Sequence, residues 1–151
     1  MKALTIWQPW ASLIMIGAKA FEFRCWPAPK FVRGQRIVIH AGARKVKRGE
    51  IAELLNDPSR LRGSTGGDDR QMSLALDLLE KTMTSPGRLP LAMGLGTVLL
   101  GEPKRATELF AATMDPEEIN PDMWGWPVSE VQSFEMPVPA KGMQGLWDWK
   151  D

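Results

Sequence analysis

The sequence predicts an α+β domain in which five to six short strands form a small, bent β-barrel flanked by two to four short helices. Short runs of β-forming residues separated by glycine and proline breaks predict the strands. Glycines at 94, 96 and 101 interrupt a strand pattern, which is typical of bulges and barrel corners. The length of 151 residues fits a single domain spanning 1–151.

The first forty residues predict three strands and one helix. Residues 3–7 are rich in β-formers, and Gln8-Pro9 ends that strand. Residues 10–16 form a short apolar run that proline can start and Gly17 can end, which predicts a helix. Residues 21–24 alternate apolar and polar side chains as a half-buried strand does, and residues 36–39 give the strongest strand signal in the chain.

The remaining elements follow from the same patterns. Apolar spacing predicts helices, Gly/Ser/Asp-rich stretches predict loops, and β-forming runs predict strands. In chain order the expectations are a helix over 46–55, a mobile surface loop over 56–70, an amphipathic helix over 72–83, a glycine-bearing strand over 89–101, a short helix over 107–114, another helix start at 115–118, a strand over 128–138, and a glycine turn into a final strand over 142–149.

Composition excludes several classes of protein and site. A single cysteine rules out an internal disulfide, and one cysteine with one histidine argues against a structural zinc site, so we expect no metal and no cofactor. No apolar run approaches the roughly 20 residues that span a bilayer. The opening MKALTIWQPW lacks the apolar core of a signal peptide. We therefore expect a cytoplasmic protein with no membrane partner.

The net charge of +1 hides a strong asymmetry along the chain. Residues 1–50 carry ten basic and two acidic side chains, which gives +8, whereas residues 51–151 carry nine basic and sixteen acidic ones, which gives −7. One interpretation is a basic surface that faces a polyanion. The other is that the two halves neutralise each other where they pack.

Lys19, Glu22 and Arg24 form the cluster best suited to chemistry. Glu22 and Arg24 are two residues apart and so share one side of a strand, and Lys19 precedes that strand. Such a group can hold a phosphate or carboxylate while its own charges stay paired. A lysine whose pKa is lowered by burial can also act as a base or nucleophile, with Ser12 placing the substrate. The structural alternative is an ordinary salt bridge beside a helix end.

Seven tryptophans and one histidine complete the candidate residues. Most tryptophans are expected in the core, although a ring at a barrel mouth can stack an unpaired base, and Trp10 and Trp124 are the candidates for that role. His40 lies on a predicted strand, where a lone histidine is most often a hydrogen-bonded structural residue, yet it is kept with Gln8 among the candidate ligand-binding residues.

The sequence also resembles a known family. Residues 4–14 (LTIWQPWASLI), the pattern Gly17-x-Lys19-x-x-Glu22-x-Arg24-x-Trp26, and the later segments 36–42, 94–101, 124–127, 137–142 and 145–147 resemble, in order, the ASCH (activating signal cointegrator homology) domain family. The resemblance implies a PUA-like β-barrel with a cleft lined by the Gly-x-Lys-x-x-Glu-x-Arg segment. Its poorly matching central region implies a helical and loop insert at about 46–88. It also implies nucleic-acid binding, although some relatives are amidohydrolases or ribonucleases. The amidohydrolase type pairs Lys-x-x-Thr, and here Glu22 replaces the threonine.

These observations give two functional hypotheses and a third, simpler one. The first is a binding module for single-stranded RNA or a nucleotide, in which Gln8, Trp10, Lys19, Glu22, Arg24, His40 and Trp124 bind the ligand. Its phosphate track would consist of Arg33, Arg36, Arg44, Lys45, Lys47 and Arg48. The second is a small hydrolase acting on a modified nucleoside or RNA, with Lys19 and Glu22 as the catalytic pair. The third is a protein-interaction domain that uses the helix predicted over 72–83.

Overall fold

The computed structural model describes residues 1–150, apart from the side chain of Pro86. In that part of the chain seven strands and five α-helices are joined by short 3₁₀ turns. The strands are β1 (Lys2–Ile6), β2 (Phe21–Arg24), β3 (Arg36–Ala41), β4 (Met93–Leu100), β5 (Lys104–Arg105), β6 (Trp124–Pro139) and β7 (Leu146–Asp148). The helices are α1 (Trp10–Met15), α2 (Arg48–Asn56), α3 (Pro58–Thr65), α4 (Asp69–Thr84) and α5 (Ala106–Leu109).

The strands form one curled sheet, a half-barrel, in the order β2-β6-β4-β3-β1-β7, with β5 paired to β6. The pair β1–β3 is parallel and the others are antiparallel. This architecture confirms the predicted α+β class and small bent barrel. The strand beyond the expected five to six is the two-residue β5.

The bend of the sheet is located at the glycines of β4. The pairing of β4 with β6 shifts register between Gly94 and Gly96. Neither glycine has room for a Cβ, because Gly94 packs on the Trp149 ring and Gly96 on the carbonyl of Gln132. The close approach therefore requires glycine at both positions, and the prediction of a bulge or bend there is confirmed.

Two large apolar cores hold the fold together, beside a small third cluster around Ala3, Val38 and Trp147. The first lies inside the sheet and against α1, with Leu4, Ile39 and Trp126 among its fully buried members. The second joins α1 to α2, α3 and α4 through side chains such as Leu13 and Leu61. Helix α4 turns its buried residues Met72, Ala75 and Leu79 to this core. Its apolar face is therefore not left free for a partner.

One expectation is wrong: residues 58–65 form helix α3 rather than part of a surface loop. The helix buries only Leu61 and Thr65, so its sequence shows almost no apolar periodicity. Its ends carry ordinary helix signals instead. Asp57 accepts a hydrogen bond from the Arg60 backbone N–H (3.2 Å), Pro58 occupies the first turn, and Gly66 ends the helix with φ +67°.

The parallel pair β1–β3 creates the edge on which the candidate site lies. Ile6 pairs with Ala41, so the two strands end side by side, and the chain continues into Trp7 on one side and Gly42 on the other. Strand β2, which carries Glu22 and Arg24, approaches the same edge, since Arg24 donates to the Thr5 carbonyl (3.1 Å). The sheet thus brings residues from β1, β2 and β3 together at one end.

Candidate functional site

Lys19, Glu22 and Arg24 form one connected ion group. Helix α1 ends at a tight turn through Gly17 (φ +79°), and the Lys19 backbone N–H returns to the Leu13 carbonyl (3.1 Å). This turn directs Lys19 inward toward β2. Its Nζ lies 3.5 Å from Glu22 Oε1, and Glu22 Oε2 accepts from Arg24 Nε (3.1 Å) and Nη2 (2.9 Å). The carboxylate therefore bridges two cations.

Lys19 is unusually enclosed for a lysine. Only 4% of it is exposed, its Nζ donates to the Ser64 carbonyl (2.7 Å), and it lies over the rings of Trp10 (5.6 Å) and Phe23 (5.1 Å). Burial lowers the pKa of Lys19 below its ordinary value, the Glu22 carboxylate acts in the opposite direction, and the Arg24 guanidinium lowers the pKa further. A lysine with a lowered pKa can both donate hydrogen bonds and exchange a proton.

This ion group lies in a cleft of about 660 Å³. Helix α3 forms one wall with Ser59, Arg60, Gly63 and Ser64, and the segment 106–123 forms another. Apart from the ion group the lining is largely apolar; it includes Trp10, Phe23, Phe110, Met114 and Ile119. This volume lies within the roughly 300–1,000 Å³ of cavities that enclose small organic ligands.

A second cleft, of about 960 Å³, adjoins the first. Both are lined by Thr5, Trp7 and Arg24, so together they form a groove that passes across the end of β1. The second cleft continues over Trp26, Gly42, Ala43 and the segment 139–145. The site is therefore an extended groove with the Lys19–Glu22–Arg24 group toward one end.

Two exposed tryptophans line this groove. Trp7 is 59% exposed and borders both clefts, and the Arg44 guanidinium lies 4.6 Å from its ring centre. Trp26 is 39% exposed and borders the second cleft. Of the two rings expected to stack, Trp10 lines the first cleft, whereas Trp124 lines neither cleft and lies under Arg105 (4.4 Å).

Gln8 and Ser12 are buried, and neither lines a cleft. Gln8 Nε2 donates to Ser12 Oγ (2.8 Å) and to the Pro90 carbonyl (2.9 Å), and Gln8 Oε1 accepts from the Ser12 backbone N–H (3.0 Å). These bonds give the Ser12 backbone N–H, in the first turn of α1, a hydrogen-bond partner, and they connect this turn to the segment before β4. The structure therefore places both residues behind the site.

His40 lies under the second cleft in a fully bonded network. Its Nε2 is 2.7 Å from the Ala140 carbonyl, which can only accept, so Nε2 carries a proton. Trp147 Nε1 donates to Thr5 Oγ1 (2.9 Å), and the Thr5 hydroxyl lies 3.2 Å from His40 Nδ1. Both ring nitrogens therefore have hydrogen-bond partners within the protein.

The structure divides the six basic residues of the expected track. Arg44 lies beside Trp7, and Lys45, Lys47 and Arg48 follow it as exposed side chains. Arg36 is the first residue of β3, and an ordinary strand rise puts the last residue, Ala41, about 17 Å away. Arg36 donates to Thr97 Oγ1 (3.1 Å), and Arg33 contacts Glu102 (3.4 Å). Arg33 and Arg36 thus lie away from the groove, and the structure does not join all six.

Sequence reasoning missed the exposed positions of Trp7 and Trp26 and the part played by α3. Trp7 follows the last paired residue of β1, and Trp26 follows β2 directly before a proline. Aromatic residues just beyond strand ends are a sequence signal that could have pointed to a rim. Nothing in the sequence indicated that the Ser64 carbonyl accepts from Lys19, because residues 58–65 lack the apolar periodicity that would have predicted helix α3.

Comparison with known proteins bears on this site. The model of the ASCH domain matches residues 4–119, which run from within β1 to beyond α5 and include the whole Lys19–Glu22–Arg24 group. No curated protein matches the chain.

Among the described residues, no group of three or more histidine, cysteine or acidic side chains could hold a metal ion. No helix in that part of the chain has the length and apolarity needed to cross a membrane.

Proposed function

The chain belongs to the ASCH domain family, and on that premise we propose that it binds single-stranded RNA or a nucleotide in the groove described above. ASCH domains are PUA-like and are associated with RNA binding. The groove itself is the observation that carries the proposal. Two clefts meet at Thr5, Trp7 and Arg24, and an exposed indole lies where they meet.

The polar groups of the first cleft suit the edge of a base. Among the described residues, Glu22 Oε1 has one polar partner, Lys19 Nζ at 3.5 Å, so it has capacity to accept from an exocyclic amino group. Lys19 and Arg24 beside it supply donors for a ring nitrogen or carbonyl. Trp10, Trp7 and Phe23 provide apolar faces against which a base packs, and such stacking tolerates different bases.

The exposed cations after β3 suit the phosphates of a bound strand. Arg44 lies over Trp7 and pairs with Glu50 on α2 (2.9 Å). Lys45 and Lys47 lie between Arg44 and the start of α2. An RNA strand leaving the groove past Ala43 would meet these side chains first.

We propose that helices α2, α3 and α4 form an insert, at about 46–88, within a single domain, and that this insert supplies one wall of the groove.

The test is salt-dependent binding of short single-stranded RNA. If three cations contact phosphates, the slope of log affinity against log salt is about −2, so affinity falls about 20-fold from 50 to 200 mM salt. Lys45→Glu/Lys47→Glu should reduce the slope by about 1.4 and weaken binding. Lys30→Glu/Lys81→Glu makes the same charge change away from the groove and serves as the control. Binding that ignores salt, or that responds equally to both double variants, would contradict the proposal.

A hydrolase is the second candidate, favoured by the lowered pKa of Lys19 beside Glu22 in a ligand-sized cleft. In that case neutral Lys19 would take a proton from a water whose oxygen attacks the amide carbonyl carbon or the phosphorus. Glu22 would carry that proton to the leaving amine or alcohol as its bond to the carbonyl carbon or phosphorus breaks. We would measure turnover of N-acylated nucleosides and dinucleotides by the wild type and by Lys19→Met. Turnover that survives Lys19→Met would rule out this mechanism.

A further inference from the structure

We propose that the second cleft is a subsite for a second nucleotide of the same strand, so that the smallest ligand filling the groove is a dinucleotide. The proposal rests on the proposed function and specifies its ligand. It is carried by the charges, the rings and the fixed floor of the second cleft.

The two clefts differ in charge. The first contains carboxylates, Glu22 and Glu118, beside its cations. The charged side chains that line the second are Arg24 and Lys141, both cationic. Lys141 is exposed and makes no ion pair with the described residues. The second cleft therefore favours the more anionic part of a ligand, its phosphate.

Arg24 stands where the linking phosphate would pass. Its Nε and Nη2 are held by Glu22 and the Thr5 carbonyl, which fixes the guanidinium plane between the clefts. Its Nη1 makes no hydrogen bond to the part of the chain that the structure describes, and the side chain is half-buried rather than enclosed. Two N–H donors are thus available to a phosphate oxygen at the point shared by both clefts.

Two rings border the second cleft and suit its base. Trp7 and Trp26 are both exposed, and Trp26 is held edge-on against the buried Trp126 ring (4.8 Å between centroids). The Trp126 Nε1–H also donates to the Trp26 carbonyl (2.9 Å). The position of Trp26 is therefore set before a ligand binds, which lowers the entropy lost on stacking.

The floor of the second cleft is fixed by His40. Its Nε2–H holds the Ala140 carbonyl, and Gly142 packs so closely that a Cβ there would lie 2.5 Å from His40 Cε1. The segment 139–145 is thereby held against β3 although it has no helix or strand of its own beyond Pro139. The cleft is preformed, as small-molecule sites usually are.

The experiment compares mononucleotides with dinucleotides by calorimetric titration. The probes are the four ribonucleoside 5′-monophosphates and the 5′-phosphorylated homodinucleotides. We expect dinucleotides to bind about 5- to 150-fold more tightly, the range that one stacked base contributes. Trp26→Ala should reduce this gain, which is measured as the ratio of dinucleotide to mononucleotide affinity within the same variant. Phe31→Ala, which removes an exposed ring outside both clefts, is the control.

The outcomes separate this inference from the proposed function. If mononucleotides bind and Glu22→Gln or Arg24→Ala weakens them, but dinucleotides gain nothing, the second subsite is wrong and the function stands. If neither probe nor longer RNA binds, the proposed function fails. Because Trp26→Ala could loosen Trp126, its melting temperature is measured, and Lys141→Ala provides a second variant at an exposed position. An unchanged dinucleotide gain in both variants would overturn the inference.

Discussion

Replacing Glu22 by glutamine should destabilise the protein strongly, although the change is nearly isosteric. Glu22 is only 7% exposed, and its carboxylate lies between the Lys19 ammonium and the Arg24 guanidinium. The substitution removes the charge that both cations face. Lys19, itself buried, would keep only the Ser64 carbonyl as a close partner.

The size of the effect follows from the contacts. Glu22 accepts two charge-assisted hydrogen bonds from Arg24 and faces Lys19, and each hydrogen bond to a charged group contributes about 1.5–3 kcal/mol. The glutamine oxygen can still accept one of them. Breaking a buried ion pair at one partner costs about 3–5 kcal/mol, so we expect about 3 kcal/mol. For a chain of this size that lowers the melting temperature by about 6–12 °C.

The assay is thermal and urea unfolding of Glu22→Gln beside Glu102→Gln. The control makes the same chemical change at an exposed ion pair with Arg33 (3.4 Å), which should cost less than about 1 kcal/mol. Adding Lys19→Met to Glu22→Gln should recover part of the loss, because the buried unpaired charge is then gone. If Glu22→Gln and Glu102→Gln are equally stable, the three residues do not form a coupled buried group and the reasoning is refuted.

Three further predictions concern neighbouring features. Burial lowers the pKa of Lys19 in the folded chain below 10.5, its ordinary value in the unfolded chain, so the unfolded chain binds more protons at pH values between the folded and the unfolded pKa. The free energy of unfolding of the wild type should therefore rise with pH through that window relative to that of Lys19→Met. Urea titrations of the two proteins that show no such divergence would contradict this. Gly142→Ala should cost about 1–3 kcal/mol in denaturant unfolding, because a Cβ would meet the His40 ring (2.5 Å) and Thr5 Oγ1 (2.7 Å); unchanged stability would mean that the segment yields freely. Asp57→Ala should cost about 1 kcal/mol by removing the N-cap of α3, and unaltered hydrogen exchange in α3 would count against that.

Much of the fold was readable because its signals are local. β-forming runs and the breaks at Pro9 and Gly17 predict β1, α1 and β2 to within a residue or two of their bounds. The glycines of β4 predict its bend, since a missing Cβ is a property of the residue itself. Helix α3 was missed because its stability comes from its caps and from burying Leu61, not from a repeated apolar face.

The candidate site was readable only in part. The spacing of Glu22 and Arg24 correctly predicts a shared side of a strand and a common ion group with Lys19. The sequence also separates a basic first third from an acidic remainder. It does not say which cations face the same way: Arg36 and Arg44 are close in sequence, yet they lie toward opposite ends of β3.

The sequence by itself therefore determined most of the elements, the glycine bend, the ion group and the family, because these depend on residue type and short spacing. The tertiary structure alone decided that Ser64 bonds Lys19, that Gln8 and Ser12 are internal, and that Trp7 and Arg24 join two clefts into one groove. Each of these depends on contacts between residues far apart in the chain. Which of many apolar and basic side chains remains exposed is set by what packs around it, and that is decided only when the sheet curls and the helices cover it.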